Sequence, residues 1–370
     1  MKRGEVIRYG VIGTGMMGVE HIENINALDE AVVTAVSDTN ADSRARGVQA
    51  ADGEVAAFED HVDLLDSKLC DAVVIATPNF THVDVLADVL QRPVHVLIEK
   101  PLCTTVEDCE RILALAADRP DGVVTWMAME YRYMPAVAAL VEHVHDGAVG
   151  QPRMVAIREH RFPFLQKVGD WNRFSENTGG TLVEKTCHYF DLMNLVLRER
   201  PVRVMASGAQ DVNHLDEEYD GRTPDILDNA FVIVDYPSGA RALLDLCMFA
   251  EATDEQEEMS VVGARGKVEA RMPSNTVHLG RRGEHFIGNV EKSTAGDDRI
   301  TYQGLHHGSS LIEHVEFAEA IRTGGQPAVT LDDGYWAVAM GAAAHRSIDL
   351  GRPVELSEIM QRDDDREAVR

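Results

Sequence analysis

The first 126 residues alternate short apolar runs with amphipathic stretches. IRYGVIG, AVVTAVSD, DAVVIATP, VHVLIEKP and GVVTWMAM are brief aliphatic and β-branched runs, which predicts buried strands. MMGVEHIENINAL, THVDVLADVLQ and TTVEDCERILALAAD repeat apolar positions at helical spacing, the last with Thr104 or Thr105 as its cap. Val/Ile runs separated by amphipathic helices indicate a parallel sheet covered on both faces, a doubly wound α/β domain over residues 1–126.

From EYRYMP onward the pattern changes. A helix around 135–146 precedes QPRMVAIREHRF, whose sides alternate as in a half-buried strand. PVRVMASGAQ, NAFVIVDYPSGARALLDLCMF, EEMSVVGARGKVEARM and NTVHLGRRGEHFIG follow, with YPSG, GARG and RRGE as hairpin turns. Two helices, SLIEHVEFAEAIRTG and DGYWAVAMGAAAHRSIDLG, finish the series. Residues 127–356 therefore read as an α+β domain with a mainly antiparallel sheet. The charged tail 357–370, with MQRDDDREAVR, is expected to fray.

One stretch does not fit a simple packing role. GGTLVEKTCHYFDL, residues 179–192, reads as two glycines and a mostly apolar helix running on into MNLVL. At about 100° per residue, Glu184, His188 and Asp191 fall within a stripe of roughly 60°. Such a stripe is either the helix's solvent line or the lining of a cleft.

Composition narrows the options. A 45% hydrophobic chain of 370 residues can bury two cores, and its net charge of −27 excludes nucleic acid and anionic membrane as partners. Nothing resembles a signal peptide or a membrane span, so a cytoplasmic protein is expected. The five cysteines are scattered without a CxxC pair, and no ligand spacing calls for a metal. Only seven residues are lysines, which singles out Lys100 and Lys185 in their apolar settings.

GTGMMG sets Gly13, Gly15 and Gly18 in G-x-G-x-x-G spacing between a strand and a helix, with Met16 and Met17 inside the loop. The glycines permit the turn, the approach of a pyrophosphate and close helix packing, and the helix N-terminus supplies donors. Asp38 ends the next strand, where a carboxylate accepts from ribose hydroxyls and opposes a 2′-phosphate. NAD is the expected cofactor. NADP is the alternative, with Arg44 and Arg46 near enough in sequence to neutralise its extra phosphate. Glu99 and Lys100, in EKP, stand at the carboxyl end of a strand, where doubly wound sheets bind ligands.

GVIGTGMMG, ATPNFTH, EKP and GGTLVEKTCHYFDL, in that order, make the chain resemble the Gfo/Idh/MocA family of glucose-fructose oxidoreductases and inositol dehydrogenases over nearly its whole length. The resemblance implies a Rossmann domain followed by an α/β domain with an open sheet, and a homodimer or homotetramer formed on that sheet. It also implies roles. Lys100 contacts substrate and cofactor, His188 is the acid–base histidine, and Glu184 is its acidic neighbour. Thr77, Pro78, Asn79 and His82 wall the cofactor site, and Trp171 and Arg173 reach toward nicotinamide or substrate. The chain departs from the family in having Glu184-Lys185-Thr186-Cys187-His188 for Asp-x-Gly-x-His, and Glu130 for an asparagine. Lys185 is assigned to substrate, and Asp191 to substrate or backbone binding.

The implied reaction is hydride transfer between nicotinamide and a secondary alcohol of a sugar, inositol or related polyol. His188 exchanges the hydroxyl proton, supported by Glu184, and Lys100 polarises the same oxygen. A glycosidase or lyase that oxidises its substrate transiently with bound NAD, and a non-catalytic cofactor-binding regulator, are the competing classes.

Overall fold

The computed structural model describes residues 5–361, so most of the tail lies outside the described residues. Two compact units divide the chain. One holds the residues up to Glu130, Lys167–Trp171 and Arg299–Tyr335; the other holds Tyr131–Gln166, Asn172–Asp298 and the residues from Trp336 onward.

The first unit is a parallel sheet. Its strands β1 (Ile7–Ile12), β2 (Ala31–Ser37), β3 (Ala56–Phe58), β4 (Ala72–Ile75), β5 (His95–Ile98) and β6 (Thr125–Met127) lie in the order β3-β2-β1-β4-β5-β6. Helices α1 (Met16–Asn26), α2 (Ala41–Ala50), α3 (His61–Asp66), α4 (His82–Leu90) and α5 (Val106–Ala116) connect them. Ile7, Tyr9, Val11, Val73–Ile75 and Val96–Ile98 are fully buried, as expected of strands covered on both faces. Thr105 caps α5 by accepting from the Asp108 amide. Between β2 and β4 the pattern predicts one short helix; the structure holds α2, β3 and α3 there, β3 and α3 being too short to leave separate periodic signals.

The second unit begins with α6 (Pro135–His145) and β7 (Pro152–His160). The stretch 175–197 is not one helix. It breaks into α7 (Ser175–Thr178), α8 (Thr181–Glu184) and α9 (Cys187–Leu197), with Lys185 and Thr186 at the interruption. The strands β8 (Arg203–Ala209), β9 (Asn229–Asp235), β10 (Arg241–Cys247), β11 (Glu257–Gly263), β12 (Gly266–Met272), β13 (Thr276–Arg281), β14 (Val290–Thr294) and β15 (Val354–Glu355) join β7. The sheet of nine runs β14-β13-β12-β11-β7-β10-β9-β8-β15 and stays open. All its pairs are antiparallel except β10 with β7. Alternation along β9 and β10 buries Val232, Val234, Leu244 and Leu246 and leaves Phe231, Ile233 and Leu243 exposed. Helices α10 (Ser309–Thr323) and α11 (Leu331–Leu350) close the chain, α10 falling in the first unit. Among the described residues, no helix is long and apolar enough to cross a membrane.

Candidate active site

Each unit carries one group of the expected site residues. In the first, the chain leaves β1 through Gly13, whose φ of +87° suits glycine, and a Cβ there would sit 2.6 Å from the Ala76 carbonyl oxygen. A Cβ on Gly18 would meet the Gly13 carbonyl oxygen at 1.9 Å, so the helix can lie this close only with glycine. Gly15, by contrast, faces open space at the start of α1 and has no side-chain cap. A pocket of about 470 Å³ opens there, lined by Gly15, Met16, Arg46, Tyr302 and Leu305 among others. Open backbone, uncapped helix N–H groups and a buried Asn79 Nδ2 with no partner among the described residues fit a dinucleotide phosphate and its polar appendages. Tyr302 and Leu305, nearly three hundred residues from the glycines, had no signal in the local pattern.

Asp38 is engaged with the loop itself. Its Oδ2 accepts from the Thr14 amide at 2.8 Å and from the Thr14 hydroxyl at 3.3 Å, and its Oδ1 accepts from the Asn40 amide at 2.8 Å. Arg44 donates to the Asp38 carbonyl, and Arg46 donates to Ser43 Oγ at 2.8 Å. His82 is fully buried, with Nδ1 and Nε2 at 2.8 and 3.0 Å from the Pro101 and Thr77 carbonyl oxygens. It ties the Thr77-Pro78 turn to the EKP turn. Trp171 meets Phe80 edge-on, with ring centroids 6.2 Å apart.

Around Lys100 the unit is densely ionisable. Glu99 Oε2 accepts the Lys100 amide at 3.0 Å, and Glu99 Oε1 lies 2.9 Å from His21 Nε2. Burial pushes the Glu99 pKa up, but the His21 hydrogen bond and the charges of Lys100 and His306 hold it down at about 2. His306 lies 3.2 Å from Glu20 and 3.7 Å from Glu130. Burial opposes its charge, yet Glu20, Glu130 and Glu99 together raise its pKa. Glu20, His21, Glu313 and His314 escaped the sequence reading because helical histidines and glutamates read as solvent-facing until their burial is known, and His306 lies in a turn with no periodic signal.

In the second unit, Glu184, Lys185, His188 and Asp191 are all buried. His188 stacks on Tyr131, rings 4.1 Å apart and 6° from parallel, which fixes the imidazole plane. Lys185 donates to Tyr131 Oη at 3.1 Å and pairs with Glu159 at 2.8 Å, so its ammonium is already neutralised. Asp191 forms a two-pronged pair with Arg132, through both Nε and Nη2. Arg173, 2% exposed, pairs with Glu217 at 2.9 Å. Lys185, Asp191 and Arg173 thus each hold a protein counter-charge. The residues missed here are Tyr131, Arg132, Glu159 and Glu217, since aromatic stacking and distant ion pairs have no local pattern.

A glycine cradle at the end of β1 in a doubly wound parallel sheet defines a dinucleotide-binding class. The chain belongs to the Gfo/Idh/MocA oxidoreductase family: residues 7–126 match its NAD-binding Rossmann fold and residues 141–356 its C-terminal alpha/beta domain. Among relatives, it is 29% identical over 366 residues to the myo-inositol 2-dehydrogenase of Thermotoga maritima, covering 96% of this chain and 100% of that one. It is 25% identical over 354 residues to the scyllo-inositol 2-dehydrogenase (NAD(+)) of Bacillus subtilis, covering 95% and 96%. The crystal structure of a probable dehydrogenase from Thermotoga maritima superposes with a TM-score of 0.77 at 27% identity, covering 96% and 100%.

Proposed function

We propose that the chain is an NAD-dependent dehydrogenase that oxidises a secondary alcohol of an inositol or a related polyol or sugar. The observation that carries this reading is the His188 imidazole, held flat against Tyr131 and buried, in a chain matching inositol dehydrogenases end to end. The glycine loop, Met16, Met17 and Asp38 hold the dinucleotide, with Thr77, Pro78 and Asn79 beside it. When bound, NAD supplies the hydride acceptor. Lys100 donates to the substrate oxygen as a charged group. His188 takes the hydroxyl proton, which suits an imidazole because its ordinary pKa lies near neutrality. Glu184, four residues before His188, supports the charged ring. The family resemblance and the exposed row on β8–β10 further support a homodimer or homotetramer.

Turnover with myo-inositol and NAD, read as NADH formed, tests the reading. Lys100→Ala and His188→Ala are each expected to lower kcat by about 10²–10⁴ while dinucleotide binding persists. The family resemblance implies that both act on one substrate oxygen, so the double variant should fall by less than the product of the single effects. Glu184→Gln should do milder damage. Near-normal turnover in His188→Ala sinks the assignment. Sugar cleavage without net NADH would move the chain to the transient-oxidation class.

A further inference from the structure

A buried chain of side chains ends on the backbone of Lys100. Glu99, His21 and His314 are 5%, 2% and 0% exposed. Glu99 Oε2 accepts the Lys100 amide at 3.0 Å, Glu99 Oε1 lies 2.9 Å from His21 Nε2, and His21 Nδ1 lies 2.8 Å from His314 Nε2. The direction of the chain follows from donor accounting. Glu99 is ionised, and a carboxylate only accepts, so His21 Nε2 carries a proton. Burial holds His314 neutral, and its Nδ1 has no hydrogen-bond partner among the described residues. A neutral ring has one N–H, and placing it on Nε2, facing His21, leaves no buried N–H unmatched. His314 therefore donates to His21, and His21 donates to Glu99.

We propose that His21, acting through Glu99 with His314 behind it, is a positioning residue for Lys100. The proposal rests on the assignment of Lys100 to the reaction. Several groups face this chain: His82 from α4, Glu130 after β6, His306 before α10, and Glu313 beside His314 on α10. Burial pushes Glu130 and Glu313 up, whereas Glu99 stays ionised. Glu99 is thus the carboxylate that both anchors the Lys100 amide and favours its ammonium.

The test uses the full-length apo protein with its seven lysines reductively methylated by isotope-labelled formaldehyde, which keeps their charge. Lys100→Arg assigns the Lys100 resonance. In Glu99→Gln the Lys100 titration midpoint should fall by about one pH unit, because the neighbouring anion is gone. In His21→Phe, Glu99 loses its side-chain donor and takes up a proton nearer neutrality, adding a second step on the acid side of the Lys100 signal. His21→Gln keeps a donor and should lack that step. A Lys100 signal that titrates alike in wild type and Glu99→Gln overturns the proposal, whether or not His21→Phe folds. So does a His21→Phe protein that folds without the second step. Turnover of Lys100→Ala is read separately: normal turnover there would remove the reaction from Lys100, leaving the chain a structural support.

Discussion

Asp38 holds the Thr14 amide in the glycine loop, and we propose that its carboxylate, just after β2, also opposes a 2′-phosphate. Asp38→Ala should weaken NAD by about tenfold, the scale of one hydrogen bond to a charged group, while NADP weakens less or gains. Asp38→Asn keeps an acceptor for Thr14 and should retain more NAD affinity than Asp38→Ala. Both are read by titrating each dinucleotide into the apo protein. A wild type that binds NADP at least as well as NAD would remove the selectivity role. Lys185 and Asp191 show the same lesson from the other side. Lys185 is expected at substrate and Asp191 at substrate or backbone, and each has its charge matched by a protein partner, Glu159 and Arg132.

At the scale of elements, the segment 299–308 lacks regular structure and lies along α1. Tyr302 donates to Glu23, the Leu305 amide donates to Glu20 at 2.9 Å, and His306 approaches the same Glu20 oxygen. His306 has a pKa raised above its ordinary 6.5 by Glu20, Glu130 and Glu99, against burial. It therefore contributes stability that is complete below 6.5 and is lost as pH rises through the raised value. Glu20 runs the opposite way. Burial pushes it up, but His306 and the Leu305 amide bring its pKa below the ordinary 4.5, so its contribution is lost as pH falls through that lower value. Protection of the Leu305 amide from hydrogen exchange should peak between these limits. His306→Gln should flatten the alkaline loss; an unchanged alkaline slope in that variant would refute the account.

For the whole molecule, the outer face of the open sheet sets the expected assembly. Met205, Phe231, Ile233 and Leu243 are 50%, 61%, 44% and 37% exposed, and the strand register aligns Met205, Ile233 and Leu243 across β8, β9 and β10. Apolar rows of this kind are what one copy offers another. Light scattering should give a dimer or tetramer, and Phe231→Glu with Ile233→Glu should reduce its size without loss of folding. A wild-type monomer at micromolar concentration would end the proposal.

Local patterning in the sequence marked the longer elements and their class. Val/Ile runs marked β1, β4 and β5, helical spacing marked α1, α4 and α5, and alternation marked β7 to β13, because each pattern repeats within a few residues of itself. The glycine loop was legible for the same reason. Tertiary structure alone decided the partners of the charged residues. His21 meets Glu99 across 78 positions and His314 across 293, and Arg132 meets Asp191 across 59. It also broke the helix at Lys185 and Thr186, which periodicity had carried straight through. A local repeat records which face of an element is apolar. Which charge is brought to a buried carboxylate depends on contacts formed only when distant segments pack, and no short window of sequence holds both.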